Sequence, residues 1–427
     1  MDLSYRNVTV LCIVLLFITT AVTPIIISVD SLEISSFEGD SEKQLVLLRG
    51  EHILVLKALD DTNLFHVKYS FPPDYNYQVP VLFEILNDTT ANILDYSIEN
   101  GTSFPNKVVN FTIASIGKDD SVSIHFYYWV LVKNHEYDNL PGFVRIPRNY
   151  ELPHYTKKWL VPTDVVQSDN ILIRIKALQL RGLNDNLLSL AYKIAKFSRQ
   201  HRYILFLLQY NLGRYGSQDA LTTLFINGEC PGRSHLGCAL FRANNVPARV
   251  ILATPSYSFW YQIHCMTEYY LPGYGWVLTE VHGGETPYEP KNQIIMRICY
   301  PEDENSTHTD YIFKNMKGVE NWFWIDDDNV QPYYADLEEG SKSTMFKEKE
   351  VLTDKVEANY VFYLTKNVFN YYQKYLGFNL TGNDIGHFQN ATNAQKKAID
   401  EFKDNSNAQG YISNMIYSYD EYAKIST

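Results

Sequence analysis

The amino-acid sequence predicts a multidomain chain: an N-terminal all-β sandwich of immunoglobulin-like character, an α+β core and a small α-helical C-terminal region. Short runs rich in β-branched and aromatic residues dominate residues 31–155. Helical patterns followed by strand patterns fill residues 156–300, and an acidic, aromatic linker and helical patterns fill residues 301–427. At 427 residues the chain is also longer than one ordinary domain.

The sandwich is predicted from strand-like runs separated by turn residues. Several runs alternate apolar with polar residues, and segments such as PPDYN, NDTT and GKDD punctuate them. The runs are KQLVLLRGEHILVLKAL, LFHVKYSF, PVLFEIL, KVVNFTIASI and SVSIHFYYWVLVK. Short strands at this spacing are typical of an antiparallel sandwich. No catalytic constellation appears among them, so we interpret this part as a structural or recognition module.

The core is predicted from helices that precede strands. The run that starts at Asp185 carries apolar residues at helical spacing from Leu187 onward, which predicts a helix. A second helix is expected after an N-cap at Ser217. The strand-like runs that follow are PARVILAT, YQIHCMTEYYL, GWVLTEV and QIIMRICY. This order indicates an α+β domain. Further helical patterns, from about residue 354 onward, predict a small appendage that packs on the core.

The N-terminus predicts a membrane or secretory segment in residues 1–30. Residues 8–29 carry no charge and are long enough to cross a bilayer, with Arg6 before them and Asp30 after them. This asymmetry predicts a single-pass signal anchor with the bulk of the chain outside the cell. A signal peptide cleaved after Ala21, giving a secreted protein, is the alternative. Sequons that agree with an outside location begin at Asn87, Asn100, Asn110, Asn305, Asn379 and Asn390.

Charge and cysteine usage restrict the partners. The net charge of −12 argues against a nucleic-acid partner. Cys238 lies inside the apolar run of a predicted helix and is expected to be a buried thiol, while Cys265 could pair with Cys299 in an oxidising compartment. His235 and His282 lack metal-ligand spacing to these cysteines, so we expect neither a metal nor a cofactor.

Cys230 is the first candidate for chemistry. It stands in NGECPGRSH, between a glycine and Pro231, the residue type favoured at the start of a helix. Apolar residues from Leu236 onward recur at helical spacing. Cys230 is therefore expected at a helix N-terminus, where unpaired N–H groups and the helix dipole stabilise a thiolate.

His264 and Glu280 are the candidates for the base and the group that orients it. They lie on two strands joined across PGYG. If the hairpin turns around Pro272 and Gly273, residues whose numbers sum to 544 face each other, and His264 then faces Glu280. A one-residue slip would place Glu280 on the opposite face.

These residues resemble the transglutaminase-like superfamily. GECPGRSHLGCALFRANNVPAR, from Gly228 to Arg249, is similar to the cysteine segment of that family, and HCMTEYYLPGYGWVLTE, from His264 to Glu280, is similar to its histidine-to-aspartate segment. The resemblance covers about residues 160–300. Four positions depart from the family: Glu280 replaces aspartate, Val281 a proline, Met266 a tryptophan and Asn245 a glycine, which asparagine can replace because it tolerates left-handed backbone angles.

The resemblance implies a papain-like core and a thiol enzyme. By position, Cys230 is the nucleophile, His264 the base and Glu280 the orienting acid for attack on an amide of a protein or peptide substrate. Hydrolysis through a cysteine thioester is the preferred expectation, with amine transfer as a variant. The alternative from another class is an inactive surface module that binds polypeptide or glycan, and the reactivity of Cys230 separates the two.

Overall fold

The computed structural model of the chain describes residues 43–426 except 102, 135–136, 138–139, 201–217, 227, 255–263, 290–292, 305–322, 334–340, 353 and 406. The strands of this part are β1 (Lys43–Ala58), β2 (Phe65–Phe71), β3 (Gln78–Ile85), β4 (Ile93–Asn100), β5 (Lys107–Ile113), β6 (Ser121–Lys133), β7 (Ala248–Ala253), β8 (His264–Leu271), β9 (Gly275–Thr279), β10 (Ile295–Ile298), β11 (Phe323–Ile325), β12 (Val330–Pro332) and β13 (Lys342–Leu352). Its helices are α1 (Ile171–Arg181), α2 (Leu187–Arg199), α3 (Ala220–Phe225), α4 (Cys230–Ala243), α5 (Lys355–Tyr375), α6 (Asn383–Asn405) and α7 (Ala408–Ala423).

Two antiparallel sheets form the N-terminal sandwich. One has the order β12-β1-β6-β3, with β13 also pairing with β1, and the other has the order β11-β2-β5-β4. Aromatic rings fill the space between them. The ring centres of Phe71 and Phe83 lie 5.8 Å apart, and those of Phe111 and Phe126 lie 5.7 Å apart. The predicted antiparallel sheets are thus confirmed, whereas the immunoglobulin-like character stays a prediction.

The sandwich contains strands that the sequence patterns did not predict. β4 is an edge strand with few buried side chains, so it lacks the alternation that marks its neighbours. The strands β11, β12 and β13 come from residues 323–352, beyond the core in the sequence, and return to both sheets. The sheets are therefore completed by chain from the C-terminal third.

The core is a four-stranded antiparallel sheet, β10-β7-β8-β9, against which α4 packs. Gly237 makes the close approach possible, because a Cβ there would lie 3.0 Å from Val281 Cγ1 and 3.3 Å from Thr267 Oγ1. At the far end of α4, Arg242 forms a buried two-pronged ion pair with Glu304, with N–O distances of 2.8 and 2.6 Å. Helices before strands agree with the predicted α+β organisation.

Two buried amides join the sandwich to the core sheet. Gln78 donates to Ile295 O at 2.8 Å and accepts from Ile295 N at 2.9 Å. Asn106 does the same for Ile298, at 2.7 and 2.8 Å. These side chains satisfy the outer edge of β10 as a further strand would. The predicted domain borders near 155 and 300 stay predictions, since Glu42–Thr427 form one compact unit.

The C-terminal helices pack on the sandwich, although we expected them on the core. In α5, Tyr372 donates to Phe83 O at 2.7 Å, and in α6, Gln395 donates to Val81 O at 2.7 Å. Phe369 stacks on Phe71 with ring centres 5.9 Å apart. The hydrogen bonds satisfy carbonyls of β3, which is an edge strand, so the helices cover an edge open to intermolecular pairing.

The prediction of a membrane anchor is corrected. Within the described part of the chain, no helix combines the length and the apolar character that a bilayer crossing requires. The longest helices, α5 and α6, have 21 and 23 residues but carry charged side chains along their length. The predicted anchor at residues 8–29 lies outside the described residues. The transmembrane and signal-anchor assignment, the single-pass topology and the membrane as a partner are therefore not retained.

Candidate active site

Cys230 is the first residue of α4, as the sequence predicts. Pro231 occupies the first turn, where its missing N–H costs no helical hydrogen bond. Glu229 is the N-cap residue but makes no side-chain capping bond. Cys230 as a whole residue is half-buried, at the start of a helix whose next twelve residues are buried.

Gln218 holds the start of α4 in place. Its Oε1 accepts hydrogen bonds from the backbone N–H of Glu229 at 2.9 Å and of Gly232 at 3.3 Å. A Cβ on Gly232 would lie 2.8 Å from this oxygen, so only glycine fits. Sequence reasoning did not single out Gln218. The signal that could have found it is the pair of glycines that flank Cys230, Gly228 and Gly232, which demands a closely packed neighbour.

His264 and Glu280 form the predicted pair. His264 is the first residue of β8, and its Nε2 hydrogen-bonds Glu280 Oε2. The second carboxylate oxygen, Oε1, accepts from the backbone N–H of His282 at 2.9 Å and of Gly283 at 3.3 Å. Glu280 is therefore held on both oxygens, in a turn closed by its backbone bonds with Glu285.

The hairpin register differs from the prediction by two residues. Thr267 pairs with Thr279, and Leu271 pairs with Gly275, so paired numbers sum to 546 rather than 544. The loop is longer than expected because Tyr274 is part of it. A shift of two residues leaves every side chain on its own face, since faces alternate residue by residue. His264 and Glu280 therefore meet diagonally.

Cys230 contacts two successive residues of β8. Hydrogen bonds from the thiol of Cys265, from His264 and from the backbone N–H of Cys265 hold the pKa of Cys230 well below its ordinary value, against the effect of burial. Burial alone would lower the pKa of His264, but its hydrogen bonds to Cys230 and Glu280 raise it to about 10. At neutral pH the site therefore holds a thiolate beside an imidazolium.

The carboxylate of Glu280 remains charged in this site. Burial tends to raise its pKa, but the hydrogen bond and the charge of His264, with the two backbone N–H groups, lower it overall. A charged carboxylate favours the protonated ring of His264. The arrangement can therefore orient an imidazole and stabilise its cation.

Arg233 is a second residue that sequence reasoning missed. It is 2% exposed, its Nε donates to Gly228 O at 2.9 Å, and its Nη1 lies 3.5 Å from His282 O. Its charge acts on both Cys230 and Glu280. It thus ties the loop before the cysteine to the turn that carries the carboxylate. The sequence signal that could have found Arg233 is an arginine in the first turns of a helix that starts at a cysteine.

The other singled-out residues have separate roles. Cys238 is buried, as predicted, and lies 3.9 Å from Thr267 Oγ1. Cys265 and Cys299 are both buried and neither is in a disulfide, so the possible bridge between them is not formed. His235 is buried with its Nδ1 2.5 Å from Gln218 O, whereas His282 lies near the site, its ring centre 6.4 Å from that of His264.

The transglutaminase-like superfamily matches residues 179–281, a range that includes Cys230, His264 and Glu280. Residues 179–281 are a transglutaminase-like domain. A comparison with curated proteins gives no match.

Solved structures with similarity to the chain have low sequence identity. A "putative cysteine protease" from Cytophaga hutchinsonii is 16% identical, with a TM-score of 0.42 over 71% of this chain and 98% of that one. The periplasmic domain of TgpA from Pseudomonas aeruginosa is 14% identical, with a TM-score of 0.29 over 58% of this chain and 90% of that one.

The structure accommodates three of the departures from the family, all within residues 179–281. Asn245 has φ of +63°, the left-handed conformation expected where the family has glycine. Val281 lies against Gly237 of α4 and fills the space under the helix. Glu280, with one methylene more than aspartate, hydrogen-bonds the ring of His264 diagonally across the hairpin.

Proposed function

We propose that the chain is a cysteine hydrolase that cleaves amide bonds of proteins or peptides, with Cys230 as nucleophile, His264 as acid and base, and Glu280 as the orienting group. The observation that carries the proposal is the contact of His264 with both Cys230 and Glu280 at the N-terminus of α4. A nucleophile, a base and a group that orients the base are the parts such chemistry requires.

In the first half of the reaction, the thiolate of Cys230 attacks the amide carbonyl carbon. The carbonyl oxygen becomes negatively charged near the N-terminal end of α4, where the helix dipole favours an anion. The C–N bond then breaks, His264 gives its proton to the leaving amine, and a thioester on Cys230 remains.

In the second half, water attacks the thioester. His264, now neutral, removes a proton from the water, and the C–S bond breaks to release the carboxylic acid and restore the thiolate and imidazolium pair. Glu280 keeps the ring oriented through both halves and stabilises its charged form.

Substrate profiling with a peptide library tests the proposal. The purified chain should release new peptide termini, and the Cys230→Ala variant should release none, because it lacks the nucleophile. The Cys238→Ala variant is a matched control, since it removes a buried thiol from the same helix away from His264. Equal product from wild type and Cys230→Ala would contradict the proposal and favour a binding module.

A further inference from the structure

Helix α4 and strand β8 lie side by side with their contacts in register. Thr267 Oγ1 donates to Ser234 O at 3.2 Å, and Cys238 Sγ lies 3.9 Å from the same hydroxyl. Thr267 therefore faces α4. Cys265 is two residues earlier on β8, so its side chain lies on the same face.

This placement brings Cys265 beneath Cys230. Cys230 is one helical turn before Ser234, about 6 Å along the axis, and Cys265 is two residues before Thr267, about 7 Å along the strand. The thiol and the backbone N–H of Cys265 both hydrogen-bond Cys230. The two sulfur atoms are therefore neighbours in the reduced protein.

The two thiols differ in what can reach them. Cys230 is half-buried at the helix end, whereas Cys265 is fully buried. A thiolate with access to solvent is the form that peroxides oxidise. An oxidant therefore reaches Cys230 first. Cys265 then reacts only with the oxidised form of Cys230.

We propose that Cys265 is a resolving thiol that converts oxidised Cys230 into a reversible Cys230–Cys265 disulfide. Hydrogen peroxide oxidises the Cys230 thiolate to a sulfenic acid and releases hydroxide. Cys265 then attacks the Cys230 sulfur, the S–O bond breaks, and the hydroxyl group leaves as water with the Cys265 proton. The inference rests on the proposed function, because it needs a reactive Cys230.

Such a bridge protects the nucleophile. A sulfenic acid that meets no thiol can be oxidised further to a sulfinic acid, which ordinary thiols do not reduce. A disulfide is returned to two thiols by dithiol reductants through exchange. Cys299 cannot take this role, because its backbone bonds to Val250 of β7, and β7 separates β10 from β8.

Peroxide treatment of the full chain tests the inference, with iodoacetamide labelling of Cys230 at about pH 6 as the readout. After hydrogen peroxide, wild type should lose Cys230 labelling, show a Cys230–Cys265 peptide by mass spectrometry without reduction, and regain labelling with dithiothreitol. Cys265→Ser should lose labelling permanently and carry sulfinic acid on Cys230. Cys238→Ala should behave as wild type.

The outcomes separate this inference from the proposed function. If untreated Cys230 labels rapidly but wild type forms sulfinic acid and no bridge, the resolving role is wrong and the hydrolase proposal stands. If untreated Cys230 does not label, both proposals fall. The bridge in wild type is read directly, so the test does not depend on the folding of Cys265→Ser.

Discussion

His264 lies diagonally across the β8–β9 hairpin from Glu280, and the two side chains still form a hydrogen-bonded ion pair on one face. The pair fixes which ring nitrogen is available for the thiol. Because Nε2 is engaged by the carboxylate, Nδ1 is the nitrogen left for the thiol. The tautomer and the orientation of the base therefore depend on Glu280.

Glu280→Gln should lower turnover by about 10²- to 10⁴-fold, because an amide neither stabilises the imidazolium nor enforces the tautomer. Glu280→Asp should lose less, since the charge is kept and only the reach is shorter. Steady-state kinetics on a peptide found by profiling measures the effect, with thermal unfolding to verify the fold. Full turnover in Glu280→Gln would mean that another group holds the imidazole.

Alkylation of Cys230 should depend little on pH from about 6 to 9, unlike an ordinary thiol, whose rate rises about tenfold per pH unit below a pKa near 8.5. The lowered pKa of Cys230, caused first by the hydrogen bond from the Cys265 thiol and then by His264, extends thiolate formation to lower pH, and we expect it to reach pH 6. The pKa of His264, raised to about 10, keeps the ring protonated across this range.

His264→Ala supplies the control for that pH profile. Without the imidazolium the pKa of Cys230 rises, so labelling should slow most at pH 6 and least at pH 9. Rates for each cysteine come from peptide mass spectrometry after brief iodoacetamide treatment. A slow, ordinary profile for Cys230 in the wild type would contradict the thiolate–imidazolium pair.

Arg233→Met should move the acidic limb of the Cys230 labelling profile to higher pH by about one unit, equivalent to one pKa unit. The variant removes a positive charge beside the thiolate and the link between Gly228 and His282. Arg181→Met removes an exposed arginine at the end of α1 and should leave the profile unchanged. An unaltered profile in Arg233→Met would show that Arg233 does not act on the thiolate.

Glu304→Gln should lower the free energy of unfolding by about 3–5 kcal/mol, because it leaves the buried charge of Arg242 without its carboxylate. Asp185→Asn breaks the exposed pair with Arg181 and should cost less than about 1 kcal/mol. Urea unfolding at constant pH measures both. Equal losses would argue that the Arg242–Glu304 pair is not isolated from water.

Residue types and spacing predicted the placement of Cys230, His264 and Glu280 better than the fold around them. Cys230, His264 and Glu280 could be found because a helix start and a hairpin are local features. The predicted register of the hairpin was wrong by two residues, but the predicted sheet face of the Glu280 side chain was correct. An error of two residues leaves a side chain on the same face of the sheet. Gln218 and Arg233 were missed because their importance comes from contacts with distant backbone groups.

Some elements could not be predicted from local pattern. The run ILIRIKALQLR has apolar residues at alternate positions, which suits a strand, yet it forms α1, with Asn170 capping the N–H of Leu172. The return of β11, β12 and β13 to the sandwich depends on long-range pairing, which no local window contains. The expected N-cap Ser217 lies outside the described residues, and Asp219 caps α3 instead.

Gln78 and Asn106 make the core sheet unsuitable for production as a separate fragment. A fragment cut at residues 156–300 would lose both amides and leave the N–H and C=O groups of Ile295 and Ile298 at a bare sheet edge. Such an edge recruits strands from other molecules. We therefore expect the isolated fragment to self-associate, whereas in the whole chain Gln78 and Asn106 cover this edge. The sandwich thus protects the core sheet from pairing with other molecules.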